Sequence, residues 1–234
     1  MMNLLSKQPG PTKIDVAALG RALRSHIEKA DFPCVGAKSA LARGMLEIVP
    51  GWRLDSAWND LEIHDRLLDW SEQYSKDATG LRSLAVVFEG PETLTEEKFE
   101  THMWDRIQSL ADKDNWRGQS YCKQVSSDPS NPHFSLSFGG QGYFVVGLHP
   151  NASRTARRTA YPTLVFNLHD QFEKLRESQR YERMREAILK RDAALDGEPN
   201  PMLARHGEIS EAVQYSGRIV GSDWKCPFRD PRNP

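Results

Sequence analysis

Apolar residues recur near helical spacing at Ile14, Ala17, Ala18, Ala22 and Ile27, which predicts a first helix over 14–30. Phe32-Pro33-Cys34-Val35-Gly36 breaks the pattern, because proline excludes helical geometry from the residue before it. A short helix over 37–44 and an apolar stretch over 45–49 follow, and Pro50-Gly51 reads as the turn that ends them. Asp55 then suits the N-cap of a second long helix carrying Trp58, Leu61, Leu67, Leu68 and Trp70.

Strand character begins at 84–88, a continuous apolar run of the kind buried on both faces. Glu96 and Glu97 fit the first turn of a helix reaching about Leu110. Runs at 135–138 and 142–148, joined through Gly139-Gly140, read as a hairpin, and 163–166 predicts one more strand. Helical stretches over 169–178 and 181–195 come next, and after Gly197 the chain turns irregular. The expectation is an α+β fold: one domain over 13–234, a mainly antiparallel sheet of about four strands covered by helices, and an irregular C-terminal tail. Residues 1–12, with two prolines and a glycine, predict a disordered tail.

Composition narrows the class. The 234 residues carry 31 Lys+Arg against 32 Asp+Glu, a formal net charge of −1, which argues against a nucleic-acid partner. The longest apolar runs fall far short of the roughly 20 residues that cross a membrane. Asn3-Leu4-Leu5 is too brief for the apolar segment of a secretory signal. Three cysteines make no disulfide framework. The expectation is a soluble, cytoplasmic protein without a membrane partner. Charge is nevertheless uneven, since residues 154–191 hold ten basic and five acidic side chains. Such a block suits a small anionic partner, or else a solvated helix face.

No phosphate-binding loop, dinucleotide fingerprint, nucleophile elbow or Cys-x-x-Cys pair is present. His64 and His133 stand alone. His149 ends an apolar strand and is followed by Ser153, Arg154, Arg157 and Arg158, so it offers a metal ligand or general base beside an anion site. His169 opens a helix with Glu173 and Arg176 at helical spacing, as a pocket residue or a capping side chain. Cys34 and Cys226 each adjoin a proline and read either as soft metal ligands or as small buried hydrophobes, the reading that suits Cys122. Glu208 and Glu211, with Gln214-Tyr215-Ser216-Gly217-Arg218, form a polar cluster that binds a cationic substrate or fixes the tail to the body.

Five frames taken in chain order carry a resemblance. They are Phe32-Pro33-Cys34-Val35-Gly36-Ala37-Lys38-Ser39-Ala40; His149-Pro150 with Ser153-Arg154 and Arg157-Arg158; Phe166-Asn167-Leu168-His169-Asp170-Gln171-Phe172-Glu173; Arg191-Asp192 with Asn200-Pro201-Met202-Leu203; and Ser210-Glu211-Ala212 with 214–218 and Trp224-Lys225-Cys226-Pro227-Phe228. Over about residues 30–228 the chain resembles the YqcI/YcgG family, which includes haem-dependent N-hydroxylases of the guanitoxin and D-cycloserine type.

The resemblance implies a b-type haem and insertion of one oxygen atom into an N–H bond of a guanidino or amino group, in arginine or a related small amine. Under it, His149 is the expected iron ligand, with His169 and Cys226 as rivals, and Arg154, Arg157 and Arg158 meet the haem propionates. Glu211 pairs with the cationic substrate, supported by Gln214 and Tyr215. With no flavin or iron–sulfur motif in the chain, the electrons must come from an external donor such as a separate reductase, or the oxidant is peroxide. The other readings are a non-catalytic haem sensor or carrier, and a cofactor-free interaction protein whose basic block docks an acidic partner.

Overall fold

The computed structural model describes residues 15–201 and 207–233; the tail expected over 1–12 and the frame residues Met202 and Leu203 lie outside them. Helix α1 (Val16–Glu28) starts where the Asp15 carboxylate accepts the Ala18 N–H at 2.9 Å. Helix α2 (Val35–Ala42) has Cys34 at its N-cap, the sulfur accepting the Ala37 N–H at 3.4 Å. Strand β1 (Leu46–Arg53), helix α3 (Asp60–Lys76) and strand β2 (Ser83–Gly90) follow. Because β1 and β2 run parallel, they need a crossover, and α3 supplies it. Helix α4 (Glu96–Trp116), strands β3 (Leu136–Phe138), β4 (Gln141–Leu148) and β5 (Thr163–Leu168), and helices α5 (His169–Glu177) and α6 (Tyr181–Asp196) complete the fold.

The fold is α+β, with a five-stranded sheet in the order β1-β2-β5-β4-β3, antiparallel except at β1–β2. The fifth strand is the one hidden behind Pro50-Gly51, which lies inside β1 rather than at a turn. β1 is an edge strand, where the missing proline N–H costs no ladder bond. The Asn59 side chain covers that edge, accepting from Trp52 N and donating to Pro50 O, both at 3.3 Å. Gly51 is required by its neighbour, since a Cβ there would sit 2.4 Å from the Phe88 ring. Asp55, expected as a helix cap, instead pairs with Arg53, and α3 begins five residues later. Helix α4 runs six residues past the expected Leu110, capped by Thr95, whose Oγ1 accepts from Lys98 N. The hairpin forms as expected, with φ of 55° and 74° at Gly139 and Gly140.

Side-chain alternation gives the sheet two apolar faces. Leu84, Val86, Phe88, Tyr143, Val145, Leu164 and Phe166 face α3, α4 and the tail, where Tyr215 and Phe228 are buried. Ala85, Val87, Leu46 and Leu148 face α1 and α2 on the other side. α5 packs on β4 and on α6, and α6 packs on α2, so these helices roof the second face. At the α4 side, buried Asp114 accepts from His64, Gly139 N and Arg232, which places His64 in a structural hydrogen bond and ties the C-terminal segment down. Among the described residues no helix is long and apolar enough to cross a membrane.

Candidate functional site

The roof over the second sheet face does not close completely. A cleft of two lobes, about 230 Å³ and 140 Å³, lies between β4, β5, α2, α5 and α6. The lobes share Cys34, Val146, Asn167, Phe172, Met184 and Ile188 as wall residues. The larger lobe adds Phe144 and Leu189 as apolar wall and His169, Glu211, Gln214, Arg157, Arg176 and Arg185 as polar groups.

Register explains why these groups converge. Val165 and Asn167 point to the second face of β5, and His169, two residues on, continues that parity into the first turn of α5. Its imidazole is nearly buried, with Nδ1 3.0 Å from Ser135 Oγ and Nε2 3.0 Å from a carboxylate oxygen of Glu173, one turn along. Arg176 also pairs with Glu173 and lies 4.6 Å over the Tyr181 ring. Glu211 and Gln214 bound a short 3₁₀ turn that Ser210 caps by accepting from Ala212 N.

That turn is held by Arg157, whose buried guanidinium donates to Gly147 O, Tyr215 O and Gln214 O at 3.1, 3.0 and 2.8 Å. A further bond runs from Gly147 N to Tyr215 O at 2.7 Å. Burial draws the Arg157 pKa down to about 10, against the raising effect of Asp192 and Glu96. Gly217 leaves room for this side chain, since a Cβ there would meet Arg157 Cδ at 2.5 Å.

Four of the expected site residues therefore meet at the cleft: His169, Glu211, Gln214 and Arg157. The others lie elsewhere. Arg154 donates to Asp192 at 2.5 Å and to Glu198 O at 2.8 Å, and lies 3.2 Å from Asp196, which anchors α6. Arg158 donates to Ala152 O and Ser153 O, both at 3.0 Å. Much of the basic block is thus consumed by protein oxygens, and Arg176 and Arg185 are further cations on the cleft wall. Cys226 packs against the core on the α4 side, where burial pushes its thiol up to about 12. Cys34, by contrast, belongs to both lobes; burial raises its pKa against the opposing pull of the Ala37 and Gly36 amides.

His149 follows the opposite parity, with Tyr143, Val145 and Gly147, and stacks on Phe99 of α4 at 4.3 Å between ring centroids. It is 1% exposed, and its Nδ1 has no hydrogen-bond partner among the described residues. Burial lowers its pKa from 6.5 to about 4, with Glu96 opposing and Arg157 adding to the shift. An unfolded chain takes up this proton near pH 6.5 and the folded chain only near pH 4, so stability is lost as the pH falls through that window. The loss from this group is on the order of 3 kcal/mol when complete. Between pH 7 and pH 4.5 the urea midpoint of the wild type should fall further than that of His149→Phe; parallel losses would refute this account.

The family model for YqcI/YcgG matches residues 23–229, from α1 to the end of the buried tail. The chain belongs to the YqcI/YcgG family. No curated protein and no solved structure gives a significant match. The family match covers all the elements that build the cleft except the start of α1, including the 3₁₀ turn bearing Glu211. Among the described residues no group of three or more His, Cys, Asp or Glu side chains is arranged to hold a bare metal ion. A porphyrin brings four of its own ligands and asks the protein for only one or two.

Proposed function

We propose that this YqcI/YcgG chain is a haem-dependent N-oxygenase, hydroxylating a guanidino or amino nitrogen of arginine or a related small amine. The observation that carries this reading is the convergence of His169, Glu211 and Gln214 on one cleft whose remaining wall is mostly apolar. The donor set fits a b-type haem. His169 would hold the iron through Nε2, giving up its contact with Glu173, while Nδ1 stays positioned by Ser135 in the way outer hydrogen bonds fix ligating imidazoles. Phe144, Val146, Phe172 and Met184 would provide its apolar walls, and Arg176 and Arg185 would be the cations for its propionates. When bound, the haem supplies the redox-active iron at which one oxygen atom is made available for insertion into N–H.

The chain's own residues prepare the nitrogen. Glu211 pairs with the cationic substrate group and accepts the proton that must leave before the nitrogen lone pair is available. The Gln214 side chain fixes the direction of the N–H bond, and Arg157 holds the end of the turn that carries both residues by donating to Gln214 O and Tyr215 O. With dioxygen as oxidant, one oxygen atom enters the product and the other leaves as water, consuming two electrons and two protons. The electrons come from an external donor, such as a reductase; with peroxide as oxidant none is needed. Three free thiols, Cys34, Cys122 and Cys226, suit a cytoplasmic setting.

The test is an absorption spectrum of the purified protein with haemin, followed by mass spectrometry of arginine, other guanidines and amines incubated with reductant or peroxide. A Soret band and product carrying one extra oxygen are expected, and Glu211→Gln should keep the band while losing turnover. A band without product from any amine would indicate a haem carrier or sensor, and no band at all would remove the haem reading.

A further inference from the structure

The smaller lobe bears on what kind of amine the cleft takes. It is bounded by Leu23, Ile27, Phe32, Leu46, Leu148 and Val165, with a volume of about 140 Å³. The amide and hydroxyl side chains on its wall are engaged within the protein. Gln171 accepts from Arg82 N at 2.8 Å and donates to Arg82 O at 3.1 Å. Ser83 Oγ donates to Asn167 Oδ1 at 2.7 Å, and Asn167 Nδ2 donates to Val165 O at 3.3 Å. Among the described residues no Lys, Arg, Asp, Glu or His side chain lines this lobe. A carboxylate or ammonium entering it would give up its water and meet no opposite charge, which is strongly unfavourable.

A hydrocarbon gains from the same surroundings. Apolar cavities of about 150 Å³ lined by such side chains stay dry and hold a guest the size of benzene. We infer that the lobe is a substrate subsite, and that the substrate is an apolar-armed amine or guanidine bearing a chain or ring of about six carbons. The arm fills the smaller lobe, and the nitrogen lies past the shared wall of Val146, Phe172 and Met184, on the side of Glu211 and Gln214. The hydroxylation of that nitrogen rests on the N-oxygenase reading; the binding of the arm does not. An amino-acid head group cannot occupy this lobe, so arginine would have to bind wholly within the larger one.

Calorimetric titration with n-alkylamines from propylamine to octylamine, on haem-free and haem-loaded protein, tests the inference. Affinity should tighten about fourfold per methylene to about six carbons and then level off. Ala37→Leu, which puts three extra carbons into the lobe from α2, should weaken hexylamine at least tenfold while leaving haem content and melting temperature unchanged. If that variant misfolds, Gly36→Ala serves, because the atoms nearest its new Cβ, on Leu81, Cys34 and Met184, lie at 3.6 Å or more. A flat series, arginine binding more tightly than hexylamine, or indifference to the filling variants would overturn the subsite. So would a series seen in haem-free protein and abolished by loading, which would give the lobe to the porphyrin edge. Failure to bind haem, with the series intact, would remove the N-oxygenase reading and leave the subsite standing.

Discussion

His169→Ala is expected to weaken haem binding by at least about 100-fold and to abolish N-oxygenation, with added imidazole restoring part of the Soret band. The magnitude follows from the arrangement: outer-sphere partners alone change metal affinity by about 10–100-fold, and this substitution removes the proposed ligand itself. The imidazole is held between Ser135 Oγ and Glu173, so its removal leaves a defined vacancy in the cleft wall that free imidazole can enter. His149→Phe is the matched control. It keeps the stack on Phe99, removes an unpartnered buried nitrogen and lies on the opposite face of β4, so haem content should be unchanged. Haem titrations of the two variants decide the matter: a loss confined to His149→Phe would return the ligand to the strand end.

Arg157→Met should cost on the order of 4 kcal/mol and loosen the C-terminal segment. Three backbone carbonyls converge on this guanidinium, and hydrogen bonds from a charged donor are each worth about 1.5–3 kcal/mol, with less than additive loss. Methionine replaces the aliphatic stem and leaves Gly147 O, Gln214 O and Tyr215 O without this donor. Arg157→Lys should fall between, because an ammonium cannot reproduce the planar fork. Urea unfolding measures both effects: a lowered midpoint reports the energy, and a lowered slope reports a tail already detached in the folded state. Amine binding should fall in parallel, since Glu211 and Gln214 ride on the segment that Arg157 grips. An unchanged midpoint would show that the guanidinium is not the clasp.

How far these features could be read from residues alone depended on whether their cause was local. α1, α2, α5, α6 and the Gly139-Gly140 hairpin were legible, because spacing, caps and turn chemistry act within a few residues. β1 was not, because Pro50-Gly51 breaks a strand in most settings and is tolerated here only at a sheet edge covered by Asn59. The start of α3 was misplaced because Asp55 found Arg53 instead of a helix N–H. At the site, Glu211 and Gln214 were legible as a polar cluster and His169 as a helix-opening pocket candidate, and all three line the cleft. Arg154 looked like an anion contact because its partners Asp192 and Asp196 are about 40 positions away. Arg185 was passed over as an ordinary helix residue, Arg176 was read only as a helical neighbour of His169, and Asn167 only as part of a frame. The signal for Asn167 was its parity, a polar residue on the same side of β5 as Val165 and His169.

The clasp between Arg157 and Tyr215, 58 positions apart, also sets when the cleft can come into being. Its floor and roof, from α2 to α6, do not include the segment that Arg157 grips. Drawing the wall that carries Glu211 and Gln214 onto β4 means closing a long loop after the sheet exists. A folding chain therefore passes through a form whose cleft is open on its acidic side. Any ligand that needs that wall binds only once the clasp has closed.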